Sequence, residues 1–397
     1  MNDLFDKTSL LLPYSGAFTL LDFSQAMMSR FHGFDEALSP ASREISEKIL
    51  SGQEHFVLLL VDGMGKDQLS LLPNESILRK NCHWELQSVF PSSTAPAITT
   101  LVTARSPAEH AVLAWWMKIE SMDIDIEILP FQERKSHKPL EELGLEIESL
   151  CPRRSRFADL DTSVLSIVPE EFIDSSFSLY SRGSTEALGY EALSEAFDGI
   201  IDHAGYCRDR SLSSSFTYCY IPDYDKTCHE KGVGSQESLD LLKEIERQIK
   251  RLLPKLPQSF RLLVLADHGQ IDVPEGGRLS ISRDSRLYGC LQSDPSGEPS
   301  VPFFHIHPEK RDEFLSLWER DFASAFQLIS CEEVESLGLL GPGEYSPMLK
   351  SRLGDYIGIS KDGSIFTVKD KRSFPFIGIH GGVSHQEMMV PLIVFDS

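Results

Sequence analysis

Three apolar runs in this chain lead into acids and imidazoles. FVLLLV (56–61) stops on Asp62, and LLVLA (262–266) stops on Asp267-His268. FTYCYI (216–221) passes through Pro222, Asp223 and Tyr224 to Asp225, with His229 four residues further on. A fourth stretch, GIHGGVSHQE, precedes the last apolar run and offers His380 and His385. A fifth, VFPSSTAPAITTLVTA, presents Thr94 after a Pro-Ser-Ser turn, with Pro96 placed where a helix tolerates it in its first turn. Gathered in one place, Asp62, Asp225, His229, Asp267, His268 and His380 make three carboxylates and three imidazoles. That donor set can hold two divalent cations with positions left open, and mixed oxygen and nitrogen ligands suit zinc, with manganese as the alternative. A threonine hydroxyl is a poor nucleophile until metal coordination lowers its pKa. A helix N-terminus beside Thr94 would add free N–H groups for an anionic oxygen. The chemistry these residues fit is hydrolysis of a phosphate ester through a covalent phospho-threonine.

Plainer readings stand beside each of these. Asp62 could cap a helix, Thr94 could be only an N-cap, and Asp225 with His229 could be a solvated turn. Asp223 rivals Asp225 but lacks the i, i+4 spacing to His229. His385 rivals His380, which is favoured by the Gly-Gly that follows it. Trp115-Trp116 are read as packing residues before base-stacking ones, and Cys228 as a small buried thiol before a soft ligand. Arg153, Arg154 and Arg156 are read as a solvated basic turn.

The elements that must position these residues are apolar strands alternating with helices. Runs without polar alternation are strands buried on both faces, as in a parallel sheet. Leu242, Ile245, Ile249 and Leu252 recur at helical spacing between charged residues. The expected fold is α/β: a doubly wound, mostly parallel sheet between helices, with an inserted small α+β cap subdomain. In such sheets ligands collect at the carboxyl ends of the strands. Residues 1–270 and 373–397 are expected to form the metal-binding core, with a helical and loop insertion at about 120–215. Residues 271–372, with their short strands and Ser/Pro/Gly-rich turn, are expected to form the cap.

Acids outnumber bases 60 to 38 over 397 residues, a net charge of −22. That surface repels nucleic-acid backbones and anionic membranes, so neither is an expected partner. No apolar stretch reaches the length of a membrane span, and the N-terminal residues lack a signal-peptide pattern. The seven cysteines are scattered without a C-x-x-C pair, as in a reducing compartment, and a cytoplasmic location is the expectation.

The chain resembles the alkaline phosphatase superfamily, in its type I phosphodiesterase/nucleotide pyrophosphatase branch. The resemblance rests on LLLVDGMG, VFPSSTAPAITTLVTA, YIPDYDKTCHEKG, LVLADHG and IHGGVSHQEMMVPLIV, in the family's order across roughly residues 56–395. It implies one metal held by Asp62, Thr94, Asp267 and His268 and a second by Asp225, His229 and His380. It further implies a small phosphate ester as substrate, a nucleotide among the candidates. Ala97 stands where many members carry Asn three residues after the threonine, which puts nucleotides in question, and Cys228 stands where Gly is usual. A phosphomonoesterase, phosphonate hydrolase or phosphomutase on the same fold is the alternative reading. A catalytically silent nucleotide- or partner-binding relative is the second. Sulfatase chemistry is disfavoured, because Thr94-Ala95-Pro96-Ala97-Ile98 lacks that family's Cys or Ser nucleophile and its Arg.

Overall fold

A computed structural model describes residues 5, 10–34, 36–369 and 375–396. Its central sheet has seven strands: β1 (His55–Val61), β2 (Cys82–Gln87), β3 (Ser163–Pro169), β4 (Glu186–Tyr190), β5 (Ser215–Ile221), β6 (Phe260–Leu265) and β7 (Met389–Asp396). Their spatial order is β2-β7-β6-β1-β5-β3-β4. β1 is buried along its whole length, because it lies between parallel neighbours β5 and β6 and carries apolar residues on both faces. Only β7 runs against the rest, pairing antiparallel with both β6 and β2.

That reversal decides where the functional loop lies. The ends of β1, β5 and β6 and the turn after β2 share one edge of the sheet. Because β7 is antiparallel, the segment preceding it reaches the same edge, bringing residues 378–388 to the strand ends that carry Asp62 and Asp267.

Four helices matter most to the site and its support. These are α1 (Leu20–Arg30), α2 (Thr94–Thr103), α3 (Asp223–Lys231) and α4 (Gln236–Leu252). Thr19 and Asp22 form a reciprocal cap that starts α1. α1 packs on α2, which is buried throughout. Leu242, Ile245, Ile249 and Leu252 of α4 are all buried, as their spacing predicts.

A second, wholly antiparallel sheet runs in the order 326–330, 356–360, 301–304, 296–298, 116–119, 124–127, 132–133. Its two halves come from distant parts of the chain and join where Gly297 pairs with Trp116. Two expectations therefore differ from the structure. The second sheet is not built from 271–372 alone but also takes three strands from 116–133. Within 120–215, expected as helices and loops, 163–169 and 186–190 are strands of the central sheet. β3 and β4 lie toward one margin of the sheet and are partly exposed, so their apolar residues are interrupted by polar ones. The boundary placed at 372/373 lies outside the described residues.

Candidate active site

β1 ends where Val61 meets Ile221 of β5, and the next residue, Asp62, donates its N–H to the Ile221 carbonyl. Gly63 follows at φ +72°, and a Cβ there would meet Asp225 Cβ at 3.1 Å, so the turn passes closely under α3. β6 ends one residue short of Ala266, and Asp267-His268 follow. Ligand-type atoms of Asp62, Asp267 and His268 all lie within 4.8 Å of one another, as do those of Asp225, His229 and His380. Asp225 and His229 are one turn apart on the same face of α3, an ordered helix rather than a solvated turn. The His268 and His380 rings stack at 3.9 Å between centroids, so the two groups adjoin.

Thr94 is the first residue of α2. Its Oγ1 is 3.1 Å from His268 Nε2 and 3.4 and 3.5 Å from the two oxygens of Asp62. The structure thus brings together Asp62, Thr94, Asp225, His229, Asp267, His268 and His380. It leaves two rivals outside. Asp223 is exposed, and His385 is an exposed partner of Asp67 at 3.3 Å.

The donor set fits bound cations. In all three histidines Nδ1 faces a backbone carbonyl: Gly269 at 3.1 Å from His268, Gly378 at 2.7 Å from His229, and Ser92 at 3.2 Å from His380. A carbonyl only accepts, so each Nδ1 carries a proton, and each Nε2 is the atom turned toward the acids, a ligand atom once it has no proton. Asp267 Oδ1 accepts from the N–H groups of Gly63 (3.1 Å) and His268 (2.9 Å), while its buried Oδ2 has no hydrogen-bond partner. Burial, and then the charges of Asp267 and Asp225, push Asp62 well above the usual carboxylate range. Burial opposes charge on His229, but the Asp225 carboxylate 3.3 Å away outweighs it and lifts the imidazole to about 9. Buried like charges of this kind need a cation nearby to be held together.

The site opens on a cleft of about 2110 Å³ lined by Asp62, Thr94, Asp225, His229 and His380, and by Trp115, Trp116 and Glu298 from the second sheet and its approach. Both tryptophans face this cleft. Trp116 is covered by the Arg134 guanidinium at 3.9 Å, and Trp115 keeps 37% exposure. Cys228 is buried against Ser238, and the arginines at 153, 154 and 156 pair with Glu109 and Asp159 away from the cleft lining.

The model of the type I phosphodiesterase/nucleotide pyrophosphatase family matches residues 56–138 and 149–383. The chain belongs to this family. It is a hydrolase of phosphoester bonds, and its family is metal-dependent. Among solved structures it resembles human ectonucleotide pyrophosphatase/phosphodiesterase 5, at 16% identity and a TM-score of 0.64, over 86% of this chain and 87% of that one. The mouse counterpart, an inactive threonine-to-alanine variant in complex with AMP, matches at 15% identity and a TM-score of 0.62 over the same shares, 86% and 87%. Phosphonoacetate hydrolase from Sinorhizobium meliloti 1021, in complex with phosphonoformate, matches at 15% identity and a TM-score of 0.59, over 85% of this chain and 89% of that one. No curated protein sequence matches the chain. These likenesses carry the alkaline phosphatase-like fold, with its central, mostly parallel sheet. No helix among the described residues is long and apolar enough to cross a membrane.

Three neighbours of the site escaped sequence reasoning. The Tyr220 hydroxyl donates to Asp62 Oδ2, the Gln270 amide donates to Asp225 Oδ1, and Glu298 lies against the turn that carries Thr94. Tyr220 had a faint signal, as a second tyrosine two residues after Tyr218 in a strand otherwise closed to solvent. Glu298 had none, because it arrives from a different sheet.

Proposed function

We propose that this member is a phosphodiesterase or nucleotide pyrophosphatase that works through a phospho-threonine at a two-metal site. The observation that carries the reading is the Thr94 hydroxyl at a helix start, within 3.1 to 3.5 Å of His268 and Asp62. Asp62, Thr94, Asp267 and His268 would hold one ion, and Asp225, His229 and His380 the other, with zinc favoured and manganese the alternative. Bound there, divalent ions supply Lewis-acid polarisation of phosphoryl oxygens and lower the pKa of a coordinated hydroxyl. Thr94 Oγ1 attacks phosphorus, forms the O–P bond and expels the leaving alcohol or phosphate. Water then cleaves the phospho-threonine and restores the hydroxyl. The N–H groups at the start of α2 face the developing charge. The Nδ1 contacts to backbone carbonyls keep each imidazole in one tautomer and one orientation throughout.

The AMP complex of the mouse relative, made with a threonine-to-alanine change, supports both the nucleophile and a small nucleotide as substrate class. The phosphonoacetate hydrolase likeness supports phosphonate hydrolysis as the second reading. A cytoplasmic location belongs to the proposal through the seven free thiols, and the "ecto" relatives stand against it.

The test is metal content by mass spectrometry, taken with turnover of bis(p-nitrophenyl) phosphate. About two ions per chain, and turnover that a chelator removes, are expected for a two-metal hydrolase. A metal-free protein without turnover would return the chain to a binding role.

A further inference from the structure

Glu298 is a buried acid of this cleft that no step above uses. It is 5% exposed, yet it lines the cleft beside Thr94. Its Oε1 accepts two hydrogen bonds, from the Ser93 hydroxyl at 2.6 Å and from the Trp115 N–H at 2.7 Å. Its Oε2 accepts none from the described residues. Ser93 immediately precedes Thr94, so the carboxylate is tied to the turn that presents the nucleophile. A Cβ on Gly381 (φ +114°) would meet Glu298 Cβ at 2.8 Å, so the stem of the same side chain lies against the residue following His380. Burial raises its pKa, while Ser93, Trp115 and the imidazoles of His268 and His229 oppose that rise. Glu298 comes from the seam of the second sheet, next to the Gly297–Trp116 pairing. That seam therefore places one carboxyl group, with an oxygen that accepts nothing from the described residues, beside the turn that presents Thr94.

We propose that Glu298 is a specificity-determining residue that selects singly charged phosphoryl groups, those of diesters, against the doubly charged groups of monoesters. This rests on the reading of Thr94 as the attacking group. A diester brings one negative charge to the site and a monoester brings up to two. Because Glu298 is only 5% exposed, its carboxylate penalises the second charge more than it would in bulk solvent. Its position against Ser93 also denies the monoester an easy retreat, because the acceptor is fixed by two hydrogen bonds rather than free to swing away.

The test uses the metal-loaded enzyme at about pH 8, where a monoester is fully doubly charged. Glu298→Gln removes the charge but keeps an oxygen able to accept from Ser93 and Trp115. The ratio of kcat/KM for p-nitrophenyl phosphate to that for bis(p-nitrophenyl) phosphate should rise about ten- to a hundredfold. Calorimetric titration with inorganic phosphate should show binding tightened about tenfold or more in Glu298→Gln. Ser93→Ala breaks one hydrogen bond and leaves the charge, so its ratio should stay within about threefold of wild type. An unchanged or lower ratio in Glu298→Gln, or an equal shift in Ser93→Ala, overturns the proposal. If wild type hydrolyses neither ester, the reading of the reaction fails and the phosphate titration decides alone. Equal affinity in both proteins, or binding in neither, then overturns the role of Glu298.

Discussion

Asp62, Asp267 and His268 stand on strand ends with side chains 0–3% exposed, whereas Asp225, His229 and His380 come from a helix and a loop and keep 9–16%. The first group is locked by backbone. Asp267 takes two N–H groups, and β1 and β6 cannot shift without breaking strand pairing on both sides. The second group stands on a helix and a loop, and is held by the Gln270 side chain on Asp225 and by the backbone carbonyls of Gly378 and Ser92 on its two histidines. The difference teaches a division of labour. In the proposed reaction the strand-end group would fix Thr94, which touches Asp62 and His268, while the more exposed group would meet the substrate and its solvent.

The sharpest test of that division is Thr94→Ala. Turnover of bis(p-nitrophenyl) phosphate should fall at least about a thousandfold while metal content stays near wild type. A variant of full activity would remove the covalent route.

His229→Ala tests whether the groups are separable. It should cost roughly a hundredfold or more in kcat/KM and release about one ion per chain, the strand-end ion remaining. Loss of both ions together, by mass spectrometry, would show one indivisible centre.

Tyr220→Phe reaches the strand-end group alone, by removing the hydroxyl that donates to Asp62. Metal affinity should weaken about ten- to a hundredfold, as for other partners that orient a ligand, when read by competition with a chromogenic chelator. The second ion should keep its affinity, and a uniform loss at both would blur the comparison.

Chelation kinetics sharpen it further. Dilute chelator should strip the protein in two phases whose rates differ by about tenfold, the cleft-side ion leaving first because fewer contacts close over it. A single phase argues against two differently buried positions.

His385→Ala sets the baseline. The side chain is exposed and pairs with Asp67, so activity should stay within about twofold of wild type.

Much of this site was legible because acids placed directly after uninterrupted apolar strands can face only one sheet edge. FVLLLV before Asp62 and LLVLA before Asp267 gave both the sheet and its functional rim. The i, i+4 spacing of Asp225 and His229 is compatible with one helical face, and α3 supplies that helix. β3 and β4 were not legible, because partly exposed strands tolerate polar residues that dilute the apolar pattern. Tyr220 and Gln270 were hidden for another reason. A hydrogen bond to a ligand leaves no periodic trace, since it depends on which strand lies next to which.

By itself the sequence determined the donor types, their order along the chain and the buried parallel strands that carry them, because burial and local spacing are written residue by residue. Tertiary structure alone decided that β7 runs antiparallel and so returns His380 to the strand ends. It alone decided that the second sheet is assembled from 116–133 and 296–360, and that Glu298 comes to rest beside Ser93. Those are pairings between segments more than a hundred residues apart. They are selected by the packing energy of the whole fold rather than by any local preference.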